Sequence, residues 1–336
     1  MTDNPISVRN LSREFDLGKS AGRRTLLRAV DDVSFEIGQG ETLGLVGESG
    51  SGKSTIGRMM VGLLRPTEGA IDLFGTKIGP RDRRSRWKPL RHRIQFVFQD
   101  PYAALNPRMR IGEAIAEPLV IKGDLSRRDR EARVRELLEL VGLPASYVTR
   151  FPHEFSGGQR QRIVIARALA LNPDFIICDE AVASLDVSMQ AQIVNLLKDL
   201  QDRLGLSYLF IAHDLAVVRA VSHRIAVLYA GKVVEIGNRT DLYRAPLHPY
   251  TRALLEAVPR ARPRERQTVI AGEVPSLLER PKGCSFCARC PRVMDVCWTV
   301  EPALMPVDDR QVACHLYGPG QDLKSDATPA GDRPGA

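Results

Sequence analysis

The residues best placed to do chemistry are Gly47-Glu48-Ser49-Gly50-Ser51-Gly52-Lys53-Ser54, followed by Thr55. The run fits G-x-x-x-x-G-K-[ST], in which glycines let successive N–H groups turn inward on phosphate oxygens. A lysine then reaches the β- and γ-phosphates of a nucleoside triphosphate, and a hydroxyl ligates Mg²⁺. That chemistry requires a strand before the loop and a helix after it. Glu41 to Val46 reads as a buried strand, and Thr55 to Leu64 carries apolar residues at helical spacing. The helix N-terminus adds partial positive charge at the anion.

Four further places can serve the same reaction. Phe175 to Glu180 reads as a buried strand ending in two carboxylates. Asp179 is placed there to hold Mg²⁺, and Glu180 to orient or deprotonate the water that attacks the γ-phosphate. Ile94 to Phe98 is a strong β run ending at Gln99, an amide that can reach Mg²⁺ or the attacking water. Ser207 to Ala212 is a further strand, ending at His213, a γ-phosphate sensor in this context. Ser156-Gly157-Gly158-Gln159 opens a helix over Arg160 to Leu171, with Ser156 as N-cap, and makes a second glycine-rich helix start suited to an anion.

The elements that must position these groups follow in order. Ile6 to Leu11 and Val33 to Ile37 read as strands, with residues 16–29 a polar, basic excursion between them. Phe15 could stack under an adenine or fill a core. From residue 102 to about 157 strand patterns stop, and Ile111 to Ile121 and Arg127 to Val141 show helical spacing; this predicts an inserted helical subdomain. Ser184-Leu185-Asp186 turns into a helix over Ser188 to Leu204. The fold class is therefore α/β.

The bounds agree. The chain has 336 residues, 43% hydrophobic and 26% charged, which is ordinary for a globular protein. No run approaches the roughly 18 apolar residues of a membrane span. No secretory signal pattern opens it, and a cytoplasmic location is expected. The net charge is +8, densest over residues 81–93. No aromatic interleaving or base-reading motif accompanies that cluster, so nucleic acid is not an expected partner. An Asn-Lys-x-Asp guanine motif is missing, which argues against a GTPase switch.

The C-terminal part has a different character. Residues 259–266 are rich in Pro and Arg and read as a connector. Cys284, Cys287 and Cys290 are spaced C-x₂-C-x₂-C, with Cys297 and Cys314 beyond. In a cytosolic chain five clustered cysteines argue for metal rather than disulfides. The spacing fits an iron–sulfur centre, zinc needs only four Cys or Cys/His ligands, and free thiols are the third reading. Cys178 reads as a small buried residue. Residues 318–336 are polar and rich in Gly and Pro, which predicts disorder.

Taken together, these motifs resemble the ATP-binding subunits of ABC transporters. The Walker A loop at 47–54, Gln99, the signature Ser156 to Gln159, Walker B at 175–180, Asp186 and His213 occur in that family's order over residues 6 to about 240. Within the family, Phe98 to Arg108 and Leu247 to Leu255 with the Cys-rich tail look like oligopeptide and dipeptide importers. Phe155, Ala181 and the Val182-Ala183-Ser184 order depart from the commoner pattern.

The resemblance implies an ABC-type P-loop ATPase core over 1–245 with the helical subdomain (102–157) inserted. An importer-type extension over 246–317 and a disordered tail over 318–336 would follow. It implies ATP and Mg²⁺, with Phe15 stacking on adenine, residues 47–55 on the phosphates, and Ser54, Gln99 and Asp179 toward Mg²⁺. Glu180, Gln99 and His213 would act in hydrolysis. Ser156 to Gln159 would cover the ATP of a second ATPase subunit, expected as a heterodimer partner, and Asp186 would serve nucleotide binding. Two transmembrane permease subunits and an extracytoplasmic solute-binding protein are the other implied partners, with this chain peripheral at the cytoplasmic face of the membrane. Cys284, Cys290, Cys297 and Cys314 match the family's four-Cys tail, which implies a [4Fe–4S] cluster, with Cys287 spare. An importer of another small solute, such as a nickel chelate, or a soluble ABC ATPase are the alternatives.

Overall fold

Short, mostly apolar runs bounded by turns dominate the core strands, and they pair as parallel strands covered on both faces. The computed structural model describes residues 5–20, 23–257, 278 and 281–317. Its strands are β1 (Ile6–Ser20), β2 (Arg23–Ile37), β3 (Thr42–Val46), β4 (Glu68–Leu73), β5 (Thr76–Ile78), β6 (Ile94–Val97), β7 (Phe175–Asp179), β8 (Ser207–Ile211), β9 (Arg224–Tyr229), β10 (Lys232–Asn238), β11 (Met305–Val307) and β12 (Arg310–Val312). Its helices are α1 (Lys53–Met60), α2 (Pro101–Ala104), α3 (Ile111–Lys122), α4 (Arg127–Leu140), α5 (Gly157–Leu169), α6 (Val187–Leu204), α7 (Leu215–Val221), α8 (Arg239–Arg244), α9 (Pro249–Glu256) and α10 (Val296–Thr299).

The larger sheet has the order β11-β12-β10-β9-β3-β8-β7-β6. Strands β9, β3, β8, β7 and β6 run parallel. Every residue of β3, β7 and β8 is buried. Both neighbours of β3 come later in the chain, so the strand order reverses around it. In such sheets the ligand crevice lies beyond the carboxyl ends of the strands at that point. Register brings Leu45 beside Ile211 and Asp179 beside Ile211, so the ends of β3, β7 and β8 finish level.

The smaller sheet, β2-β1-β4-β5, is antiparallel and packs its apolar face with α1 and β3 into one core. A second core continues from the other face of the large sheet into α3, α4 and α5. Leu105, Ile111, Ile115, Leu119, Val134, Leu137 and Leu138 carry that continuity. The apolar stripe of the helical insert is thus buried against α5 rather than forming a core of its own.

The amino-terminal expectation needs correction. The strand expected to stop at Leu11 runs to Ser20, and the excursion over 16–29 is strand in its described part. Phe15 pairs with Leu27 and Asp16 with Leu26. Arg28 Nη2 lies 2.7 Å from the Glu14 carboxylate across the hairpin. Neither face of this ribbon is fully covered, so polar pairs replace the apolar alternation that marks a half-buried strand.

The C-terminal extension is built onto the core. β12 pairs antiparallel with β10, Glu235 opposite Val312 and Ile236 opposite Gln311, and β11 closes the edge. Cys284, Phe286, Cys287 and Cys297 lie in the same core cluster as Tyr229 and Tyr250. The connector over 259–266 and the tail over 318–336 lie outside the described residues.

Candidate nucleotide site

The phosphate loop leaves β3 at Gly47 and enters α1 at Lys53. Gly47 has φ 154°, and a Cβ there would meet the Leu228 carbonyl oxygen at 2.1 Å, so only glycine fits. No side chain caps α1, which leaves its first N–H groups open toward the loop. Lys53 is 4% exposed and its Nζ donates to the Gly47 and Glu48 carbonyls, each at 2.8 Å. Burial lowers its ammonium pKa, and Glu180, Asp179 and Glu48 act against that shift.

Beside it the carboxyl ends of β6, β7 and β8 deliver the other groups. Ser54 Oγ donates to Asp179 Oδ1 at 2.7 Å. Burial raises the Asp179 pKa, while the Ser54 hydrogen bond and Arg58 favour its anion. The next residue, Glu180, has φ 49°, an uncommon backbone for a non-glycine residue. Its N–H donates to the Ile211 carbonyl at 2.9 Å, which ties the turn to β8. Its carboxylate accepts Gln99 Nε2 at 2.8 Å and lies 3.6 Å from His213 Nδ1. Gln99, Glu180 and His213 thus meet, as their positions at three strand ends imply.

Magnesium fits the oxygen set. Mg²⁺ takes one or two protein oxygens and completes its shell with water and phosphate. Ser54 and Asp179 supply hard oxygens in contact with one another, and the Gln99 amide stands nearby through Glu180.

The remaining site residues lie on other surfaces. Ser156 and Gln159 make a reciprocal cap on α5: Ser156 Oγ accepts the Gln159 N–H at 3.3 Å, and Gln159 Oε1 accepts the Ser156 N–H at 3.1 Å. A Cβ on Gly158 would meet Met189 Sδ at 2.8 Å, so α5 and α6 approach closely there. Asp186 accepts the Met189 N–H at 2.9 Å and caps α6. The turn before it is held by Gln190 Nε2, which donates to the Val182 and Leu185 carbonyls at 3.1 and 3.2 Å. Phe15 is half-buried on β1, with the Arg13 guanidinium 4.6 Å from its ring centroid.

The tail cysteines lie near enough to act on one another electrostatically, Cys284 with Cys297, Cys314 and Cys287, and Cys314 with Cys290 and Cys297. Among the described residues no three His, Cys, Asp or Glu side chains come together to hold an ion. The iron–sulfur and zinc expectations for Cys284, Cys290, Cys297 and Cys314 gain no support from this arrangement. Cys284 and Cys297 are buried in the extension's apolar core, and burial pushes the Cys284 thiol up to about 12 and the Cys314 thiol to about 11. Cys178 is fully buried and its thiol is pushed up to about 12.

Two contacts on the phosphate loop escape sequence reasoning. The Tyr250 hydroxyl accepts the Glu48 N–H at 3.0 Å, and Arg289 pairs with the Glu48 carboxylate. The His248-Pro249-Tyr250 block was a visible signal, but its target lies 202 positions away. For Arg289 only its place among the cysteines pointed to anything.

Comparison with known proteins agrees with this geometry. The family described as "ABC transporter" matches residues 30–183, and "Oligopeptide/dipeptide transporter, C-terminal region" matches residues 234–297. A Brucella abortus (strain 2308) protein, provisionally named a peptide import ATP-binding protein, is 72% identical over 313 residues, covering 93% of this chain and 94% of that one. A Brucella ovis protein with the same kind of name is 50% identical over 310 residues, covering 91% and 96%. Among solved structures, an ATP-binding cassette captured as a dimer after hydrolysis with ADP and Pi has a TM-score of 0.62 at 31% identity, covering 70% of this chain and 98% of that one. A Clostridium perfringens protein that is part of an ABC transporter complex has a TM-score of 0.63 at 27% identity, covering 72% and 92%. With strand ends, phosphate loop and relatives in agreement, the chain belongs to the ABC-transporter ATP-binding proteins that carry the oligopeptide/dipeptide-transporter C-terminal region.

Proposed function

We propose that this chain hydrolyses ATP to drive uptake of oligopeptides or dipeptides through membrane permease subunits. The observation that carries the ATPase reading is the placement of Glu180. Its carboxylate is held by Gln99 and faces His213, one residue beyond the Asp179 that contacts Ser54. A base held in this way, beside a loop that binds the γ-phosphate, can orient water and accept its proton. Lys53 and the open N–H groups of α1 would bind the phosphates, and Ser54, Asp179 and Gln99 would hold Mg²⁺. The metal, when bound, offsets the phosphate charge that develops during transfer. His213 would position the same phosphate from β8. Phe15 would stand against the adenine.

One chain carries one phosphate loop and one Ser-Gly-Gly-Gln turn, and these start different helices, α1 and α5. The dimeric cassettes it resembles support pairing with a second ATPase subunit, proposed to be a different chain, whose Ser-Gly-Gly-Gln turn covers this phosphate loop. The C-terminal region and the 72% identical relative support peptide as the cargo and permease subunits as partners, with a solute-binding protein outside. Among the described residues no helix is long and apolar enough to cross a membrane, which supports a peripheral position on the permeases. Cysteine spacing and the resemblance of Cys284, Cys290, Cys297 and Cys314 to the family's four-Cys tail support an iron–sulfur centre there, and ATP hydrolysis does not need it. Iron, sulfide and zinc analysis of anaerobically purified protein decides between cluster, zinc and free thiols.

The deciding experiment is reconstitution of the full complex in lipid vesicles with its binding protein. ATP-dependent accumulation of labelled peptide supports the proposal. ATP turnover stimulated by a nickel chelate but by no peptide would reassign the cargo, and turnover indifferent to permeases would remove the transport role.

A further inference from the structure

Arg289 occupies the turn Cys287–Arg289 of the C-terminal extension, 241 positions from the phosphate loop it touches. Its Nη1 donates to Glu48 Oε2 at 2.9 Å and its Nη2 to Glu48 Oε1 at 3.0 Å, a two-pronged fork. Nη1 also donates to Tyr229 Oη at 3.2 Å. The Arg289 side chain is 6% exposed and that of Glu48 is 23% exposed, so water screens the pair poorly.

Glu48 is held at three points. Its carbonyl accepts Lys53 Nζ, its N–H is accepted by Tyr250 on α9, and its carboxylate is gripped by Arg289. Tyr229, Tyr250 and Phe286 pack together beneath it, with ring centroids 4.5 to 5.4 Å apart. A glutamate at this place also sets a negative charge in a loop that binds anionic phosphates. A guanidinium bound to both of its oxygens removes that penalty and fixes the loop at once.

We propose that Arg289 is a positioning residue for nucleotide binding: it pins and neutralises Glu48, so that docking of the cysteine-bearing extension sets the affinity of the phosphate loop for ATP. The inference rests on the ATP-binding reading above. It makes the extension part of the nucleotide site without any of its atoms touching the reacting phosphate.

The test is a double-mutant cycle on the assembled transporter complex, reading KM and kcat for ATP, with fluorescent-ATP binding to the full-length chain as the second measurement. Arg289→Gln leaves the Glu48 charge unpaired beside the phosphates. It should raise KM about tenfold (about 1.4 kcal/mol) with kcat changed less than about twofold. Arg289→Lys, which keeps the charge but loses the fork, should fall between parent and Arg289→Gln. In the Glu48→Gln background, Arg289→Gln should change KM less than about twofold. Should Arg289→Gln fail to fold, the double variant removes both members of the pair, and a KM matching Glu48→Gln alone upholds the coupling. Independent, multiplying effects of the two substitutions overturn it, as does an unchanged KM in Arg289→Gln. A parent complex that binds no ATP would instead overturn the functional reading itself.

Discussion

At the residue scale the phosphate loop and Glu180 are proposed to bear the reaction, and they should fail in different ways. Lys53→Ala removes a buried cation proposed to make charge-assisted hydrogen bonds to phosphate, each contributing roughly 1.5–3 kcal/mol. We expect ATP affinity to fall by about 100-fold or more, measured by nucleotide binding to the full-length chain. Near-parental affinity would remove Lys53 from the site. Glu180→Gln keeps the shape and can still bond Gln99, but it cannot take a proton. Turnover should fall by roughly 10²–10⁴ while ATP binding persists, and the ATP-loaded subunit pair should accumulate on a sizing column. Turnover at the parental rate would mean that another group is the base. Gly47→Ala tests the loop's backbone, because its Cβ would stand 2.1 Å from the Leu228 carbonyl oxygen. The loop must shift, and phosphate binding should go with it while the fold, read by circular dichroism, survives.

At the element scale the start of α9 illustrates how a buried histidine links stability to pH. His248 is 1% exposed, its Nδ1 accepts the Tyr250 N–H at 3.0 Å, and burial pushes its pKa down to about 3. The folded state therefore holds fewer protons than the unfolded chain between pH 6.5 and about 3. Stability from this residue is complete above pH 6.5 and is lost as pH falls through that window, by up to about 1.4 kcal/mol per pH unit. Glu235, fully buried and accepting the Leu247 and His248 N–H groups at 3.0 and 2.9 Å, has a raised pKa and titrates in the opposite sense. His248→Asn keeps a capping oxygen without a titrating ring. Its denaturation midpoint should therefore fall less steeply than the parent's from pH 6.5 to 4. Parallel pH profiles for the two proteins would show that His248 does not titrate on unfolding.

At the scale of the whole molecule, the extension finishes the core sheet. Deleting residues 281–317 would strip β12 from β10 and uncover Tyr229, Tyr250 and the apolar faces now packed by Phe286 and Val312. Each such large side chain contributes roughly 1.5–3 kcal/mol by burial. The truncated chain should melt well below the parent and bind ATP more weakly, because Glu48 loses Arg289. A truncated chain with parental melting temperature and ATP affinity would make the extension an independent appendage.

The ATP-binding family of this protein was legible in its sequence because its motifs are local. A phosphate loop needs its glycines, lysine and serine within eight consecutive positions, and Asp179-Glu180 and Ser156 to Gln159 are likewise contiguous. Buried parallel strands announce themselves as apolar runs, so the ends carrying Gln99, Glu180 and His213 could be located before their meeting was seen. The long amino-terminal hairpin was not legible, because its outer half is held by cross-strand polar pairs such as Glu14 with Arg28 and carries no apolar period. Nor was the grip of Arg289 on Glu48, or of Tyr250 on the same residue. A sequence lists charges and hydroxyls without their partners, and pairs separated by some 200 positions are chosen only when the sheet closes and the extension docks. Cysteine spacing and family resemblance raised a metal centre in the tail; the tertiary structure adds that Cys284, Cys287 and Cys297 lie among apolar side chains. Spacing along a chain constrains which sulfurs can converge, and packing decides whether they do.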